Sequence, residues 1–169
     1  MPSRAEIVMN DLVAEFQAIT TANGYRNDVK NVVKAIRPPQ TIMEFPEIGI
    51  EFGNSDIAPK DDQRTLYDEI VEVNVVGFVA ADLNAAQDPE SANKLYDASE
   101  SLAHDIRKKI CADILTKKIN DAANTWNVEL SENKLTVGRV MMLGAQRSIG
   151  LIEAQFKVRI RNLDSSFDD

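Results

Sequence analysis

The chain has 169 residues, 44% of them hydrophobic, which suits a single domain with a proper core. Its formal charge of −8 argues against a general nucleic-acid-binding surface, because affinity for phosphates needs clustered lysine and arginine. One cysteine excludes an internal disulfide, and no apolar run is long enough to cross a bilayer as a helix. The imbalance of charge is local. Residues 1–100 hold 8 basic and 18 acidic side chains, and residues 101–169 hold 11 and 9. An acidic half followed by a mildly basic one is compatible with head-to-tail self-association, and equally with an unevenly solvated surface.

Ser3 and Glu6 have the spacing of a capping box, in which each side chain satisfies the other's backbone N–H. Val8, Leu12, Phe16 and Ile19 then mark the apolar face of a first helix that ends near Asn23-Gly24. The N-terminus carries no signal-peptide core, so a soluble chain made in a reducing cytoplasm is expected. Val29 to Ile36 reads as a strand stopped by Pro38-Pro39, and Ile48, Ile50 and Phe52 alternate with Glu47, Gly49 and Glu51 in a second, short one. Gly53 to Gln63 reads as a loop. It feeds a long third strand, Arg64 to Val79, in which Val71, Val73, Val75 and Val79 face one way. The opposite face turns apolar only at Val76 and Phe78. The Tyr67 to Glu72 end is therefore expected to project as an arm with polar edges.

Asp88 can cap a helix and Pro89 suits its first turn. Leu95, Ser99, Leu102, Ile106, Ile110 and Ile114 follow at three- and four-residue spacing, one stripe down a helix over Asp88–Lys118 that must lie on something apolar. Glu90, Lys94, Asp97, Glu100, Asp105, Lys108 and Asp113 are expected mostly away from that stripe. Trp126 is expected to pack at the helix end. Leu135 to Leu143 and Leu151 to Arg161 complete the strands. The last sets Ile152, Ala154, Phe156, Val158 and Ile160 against Glu153, Gln155, Lys157, Arg159 and Arg161, which means an antiparallel sheet with one wet face. The order α-β-β-β-α-β-β predicts an α+β two-layer sandwich, a mixed or antiparallel five-stranded sheet with two main helices on one face. It is expected to form one domain over residues 1–162, with a flexible acidic tail over 163–169.

Catalytic chemistry finds little to stand on. His104, the single histidine, has no second ligand at metal spacing and reads as a surface side chain. Cys111 reads as a packed thiol, with no histidine or helix N-terminus nearby to activate it. Asp56, Asp61 and Asp62 lack the glycine and distal glutamate of a calcium loop. No phosphate-cradling glycine-rich loop or nucleophile elbow occurs, so no enzyme, metal or cofactor is expected. Arg107-Lys108-Lys109 reads as a solvated helix face.

Several segments in order carry a resemblance: "ANGY" (Ala22 to Tyr25), "FPEIGIEFG" (Phe45 to Gly53) and "YDEIVEVNVVGFV" (Tyr67 to Val79). "SANKLYDASESLAHDIRKKI" (Ser91 to Ile110) and "GLIEAQFKVRIRNL" (Gly150 to Leu163) follow. Together they resemble the tail terminator proteins of long-tailed bacteriophages in pattern and order, without an invariant motif. Thr116 to Asn133 is longer than a minimal member would carry. The resemblance implies a virion structural protein of the tail and neck, assembled in the host cytoplasm. It also implies a ring, commonly a hexamer, that caps the head-proximal end of the tail tube, ends tube polymerisation and joins the tail to the head connector. The implied partners are further copies of the chain, the tail tube protein, a head-proximal connector or stopper protein and a tail sheath. DNA is implied only as cargo through the lumen, and no membrane. Other head–tail connector, stopper or completion proteins, and a small monomeric binding module, are the alternative readings. Such a ring needs surfaces that neighbours complete. The acidic arm (Asp56, Asp61, Asp62, Arg64, Tyr67 and Glu69) is the candidate for one side. The basic sets Arg107, Lys108 and Lys109 or Lys157, Arg159 and Arg161 are candidates for the other.

Overall fold

A computed structural model describes residues 3–59, 66–81, 88–115, 126–129, 136–143 and 147–164. The architecture is α+β: two helices on one face of a curled mixed sheet. Helix α1 (Arg4–Gln17) opens on the Ser3/Glu6 capping box and stops earlier than its apolar spacing suggests. A separate 3-10 turn (Thr21–Asn23) follows, ended by Gly24 at φ 81°. Strand β1 is only Asn31–Val33, and β2 (Glu47–Pro59), β3 (Leu66–Ala81), β4 (Trp126–Val128), β5 (Thr136–Met142) and β6 (Ser148–Asp164) complete the sheet. Its order is β1-β2-β3-β6, after which β4 and β5 share the far edge of β6. Only β1 and β2 run parallel; every other pair is antiparallel.

Three expectations are corrected by this sheet. Among the described residues the sheet has six strands, because Trp126–Val128 adds a short one on Ile160 and Val158. The Gly53–Gln63 loop is strand as far as Pro59, paired residue for residue with β3 after an irregularity between Phe52 and Ser55. Asn162 to Asp164 is strand too, with Leu163 opposite Tyr67 and Asp164 opposite Leu66, so an acidic tail can start no earlier than residue 165, outside the described residues. The Tyr67 end of β3 is thus hydrogen-bonded on both sides, by β2 and by β6. Paired twice, it is an extension of the sheet and not a free arm.

Helix α2 (Pro89–Lys108) has Asp88 at its N-cap, accepting from the backbone N–H of Glu90 and Ser91, each at 3.2 Å. Six residues of π-helix, Lys109–Ile114, continue it. The whole predicted stripe from Leu95 to Ile114 is buried. It faces Val71, Val73, Val75 and Val79 of β3 and the apolar alternation of β6, and α1 contributes Val8, Leu12 and Phe16 to the same core. The approach is close enough to dictate a residue type. A Cβ on Gly77 would stand 2.8 Å from Ile106 Cδ1 and 2.9 Å from Leu102 Cδ2, and one on Gly150 would strike Ser99 Oγ. The wet face has a cap of its own. Ile42, with Ile36 and Phe45, covers Val76, Phe78 and Ile149, which is why β3 turns apolar on that side only near its end.

Beside the apolar stripe runs a second one at i, i+4 spacing: Ser101, Asp105, Lys109 and Asp113. Asp105, expected away from the stripe, is fully buried. Its carboxylate accepts from the backbone N–H of Arg26 (3.0 Å) and of Asn27 (2.8 Å) and from Asn27 Nδ2 (2.7 Å), clamping the turn after Gly24 to the helix. Ser101 Oγ accepts from the same amide at 3.0 Å.

Two carboxylates report on acid stability. Hydrogen bonds from Thr21, backbone first, hold Asp28 below its usual range, and hydrogen bonds from Ser91 and then Glu90 do the same for Asp88. A carboxyl whose folded pKa lies below its unfolded value of about 4 contributes stability above that value and loses it as the pH falls through the folded one. Thermal melts should therefore hold level above about pH 5 and decline below about pH 4, and Asp28→Asn with Asp88→Asn should reduce the decline.

Candidate assembly interface

The residues proposed for the acidic side are partly in place. Asp56 is exposed on β2 opposite Ile70, and Tyr67 and Glu69 are half-buried on β3. Asp61, Asp62 and Arg64 lie outside the described residues. Together with Glu51 and Glu72, the described acids line the β2–β3 extension. Among the described residues the outer edge of β2 pairs with no strand beyond β1, which pairs Glu47 to Gly49.

The basic sets are mostly spent inside the molecule. Arg159, half-buried, donates from Nε to Glu129 at 2.6 Å and from a terminal nitrogen to Asp68 at 3.2 Å, and these carboxylates, Glu129 first, raise its pKa. Asp68 and Glu129 are both buried, so this triad locks β3, β6 and the end of β4 together. Arg161 donates to Asn127 Oδ1 at 2.8 Å, and its backbone carbonyl accepts from Arg4. Lys157 is half-buried on β6 opposite Glu72.

Of the α2 set Arg107, Lys108 and Lys109, only Arg107 is exposed. Lys108 donates to the Gly24 carbonyl at 2.8 Å and sits 4.7 Å from the centre of the Tyr25 ring. Lys109 is 2% exposed, contrary to a solvated face. Its ammonium meets Asp113 at 2.7 Å and Glu15 of α1 at 3.5 Å, with the Tyr25 ring at 5.0 Å. Tyr25 in turn donates to Asp113, and burial followed by that contact raises its pKa. These cations hold α1, α2 and the Gly24 turn together and are a poor docking surface.

Sequence reasoning passed over a run of exposed apolar residues. Val140, Met141, Met142 and Leu143 are 44–50% exposed in succession at the end of β5, which has no strand on its other side among the described residues. Ile57, 62% exposed, is the matching apolar residue on the β2 extension. The signal was present as an unbroken apolar run without the alternation that a half-buried strand shows.

Chemistry has few other places to happen. A shallow groove of about 350 Å³ crosses the wet face between Ile36 and Gly138, over Asn74, Val76, Glu153 and Gln155, and Glu153 is the ionisable group in its lining. Among the described residues no group of three His, Cys, Asp or Glu is placed to hold a metal ion. His104 is exposed. Cys111 is exposed too, and not packed as expected, because Ile110 and Ile114 take the inward positions of the π-helical turn. Trp126 is buried in β4 and donates from Nε1 to Asp11 of α1 at 2.9 Å. Among the described residues no helix is long and apolar enough to cross a membrane. No family model matches the chain, and a search of curated proteins finds no significant relative.

Proposed function

We propose that the chain is a non-catalytic structural subunit that forms a ring, commonly of six copies, capping the head-proximal end of a phage tail tube. There it ends tube polymerisation and joins the tail to the head connector, with DNA passing through as cargo. The observation that carries the reading is the β2–β3 extension: an acid-lined piece of sheet whose outer backbone edge beyond β1 pairs with no strand among the described residues. An open edge is a template for another strand, and soluble monomers usually blunt or cover one. Acidic side chains lining a lumen would repel DNA and let it slide without sticking. The order of sequence segments shared in pattern with tail terminators supports the same role, as does the lack of a nucleophile, metal set or cofactor loop in the sequence.

Removing Asn54 to Gln63 tests it. The deletion takes the outer half of β2 and leaves Tyr67 to Val71 paired with β6. The expected product keeps a cooperative melt, stays monomeric in sedimentation and fails to cap tubes. Rings and tails of normal length from that variant would sink the assignment.

A further inference from the structure

The exposed edge of β5 has no evident work in a monomer. Four consecutive apolar residues, about half exposed, sit on a strand whose second edge pairs with nothing among the described residues. Apart from Arg139 it carries none of the lysines or prolines that usually blunt such an edge.

We propose that this edge takes the open edge of β2 from a second copy of the chain, as an added antiparallel strand. The inference rests on the self-assembly part of the function proposed above and names the surfaces that meet. Strand direction permits it. β2 runs against β3, β3 against β6 and β6 against β5, so β5 runs against β2. A neighbour set beside β5 in the same orientation therefore presents β2 in antiparallel sense. Charge does not choose the partner. The described extension carries Glu51, Asp56, Asp68, Glu69 and Glu72 with no Lys or Arg, and residues 136–148 carry Arg139 and Arg147 and no acid, but within one copy Asp68 pairs with Arg159, Arg139 with Glu100, and Arg147 donates to the Ile42 carbonyl.

The faces agree as well. Ile57 lies opposite Glu69 and Met141 opposite Gly150, both on the side of the sheet that bears the helices, so a continuous sheet brings the two apolar side chains to one face. The two edges are also offset along the strands. β5 lies alongside the Ile149 to Gln155 end of β6, and the open part of β2 alongside the Tyr67 to Val75 part of β3. Each added copy is thereby staggered on the last, and stagger is what a sheet needs to close on itself. A head-to-tail contact of this kind closes into a ring when its rotation permits.

The test uses the full chain with Cys111→Ser to remove the exposed native thiol. One preparation carries Ile57→Cys and another Met141→Cys, and the two are mixed with a short bis-maleimide. Cross-linked dimers should form in the mixture and be nearly absent from either preparation alone. In parallel, Val140→Lys with Met142→Lys, at exposed positions, should keep the thermal melt and lose the assembled species in sedimentation. If the chain assembles but links only like with like, or the lysine variant assembles as the parent does, the edge pairing is wrong and the ring proposal survives. If the parent stays monomeric at its highest soluble concentration and on tube ends, both fail.

Discussion

Ile106→Asp is expected to abolish the cooperative thermal melt. Ile106 is fully buried at the middle of the α2 stripe, and its Cδ1 occupies the space that the absent Cβ of Gly77 leaves on β3. A carboxylate there would be set in the apolar cluster that Leu102, Ile110 and the valines of β3 form. Burying such a charge unpaired costs several kcal/mol, a large part of the roughly 5–15 kcal/mol that holds a domain folded. Circular dichroism against temperature reads the result directly. A variant melting within a few degrees of the parent would mean that the helix does not pack on this face.

The second large effect is expected at Asp105→Ala. The substitution leaves the N–H groups of Arg26 and Asn27 without their acceptor and leaves the Gly24 turn held to the helix by Lys108 and by Tyr25 on Asp113. Each orphaned donor that stays out of reach of water costs about 1–3 kcal/mol. Arg26 is itself exposed and can recover some hydration, so a net loss of about 2–4 kcal/mol is expected in urea unfolding. The midpoint should fall with little change in slope, since the surface exposed on unfolding is nearly the same. Asp105→Asn keeps one acceptor oxygen and should lose less. Equal stability of Asp105→Ala and the parent would show that water replaces the carboxylate at no cost.

Both effects fall on α2, and the two were not equally legible. The apolar stripe could be taken straight from spacing, because five large aliphatic residues at helical period leave no other arrangement in water. The polar stripe of Ser101, Asp105, Lys109 and Asp113 has the same four-residue period, yet charge alone suggested solvent. What buries Asp105 and Lys109 is tertiary: the Gly24 turn supplies N–H donors, α1 supplies Glu15, and a π-helical turn changes the facing of residues 109–114. No single segment contains that information.

The sheet shows the same division. Alternation in β3 and β6 identified two long strands and their buried faces, but the cap of Ile42, Ile36 and Phe45 over Val76 and Phe78 was not read from the sequence. Residues 53–59 were missed because Gly53, Asn54, Asp56 and Pro59 are poor strand formers. They are strand nonetheless, since β3 offers a complete row of partners. The same pairing converts the projecting arm into a three-strand extension with β6. Lys157, Arg159 and Arg161 alternate outward on β6 as expected, but Asp68, Glu129 and Asn127 reach two of them first. A basic stripe in the sequence therefore says which face a side chain takes, and not whether a partner inside the chain already holds it.

Electron microscopy of tail tubes assembled from their tube protein with and without this chain tests the central claim most directly. The account predicts tubes of uniform length with a ring of density at one end when the chain is present, and overlong tubes of scattered length without it. Tubes of the same length distribution in both preparations, with no added density at either end, would contradict it.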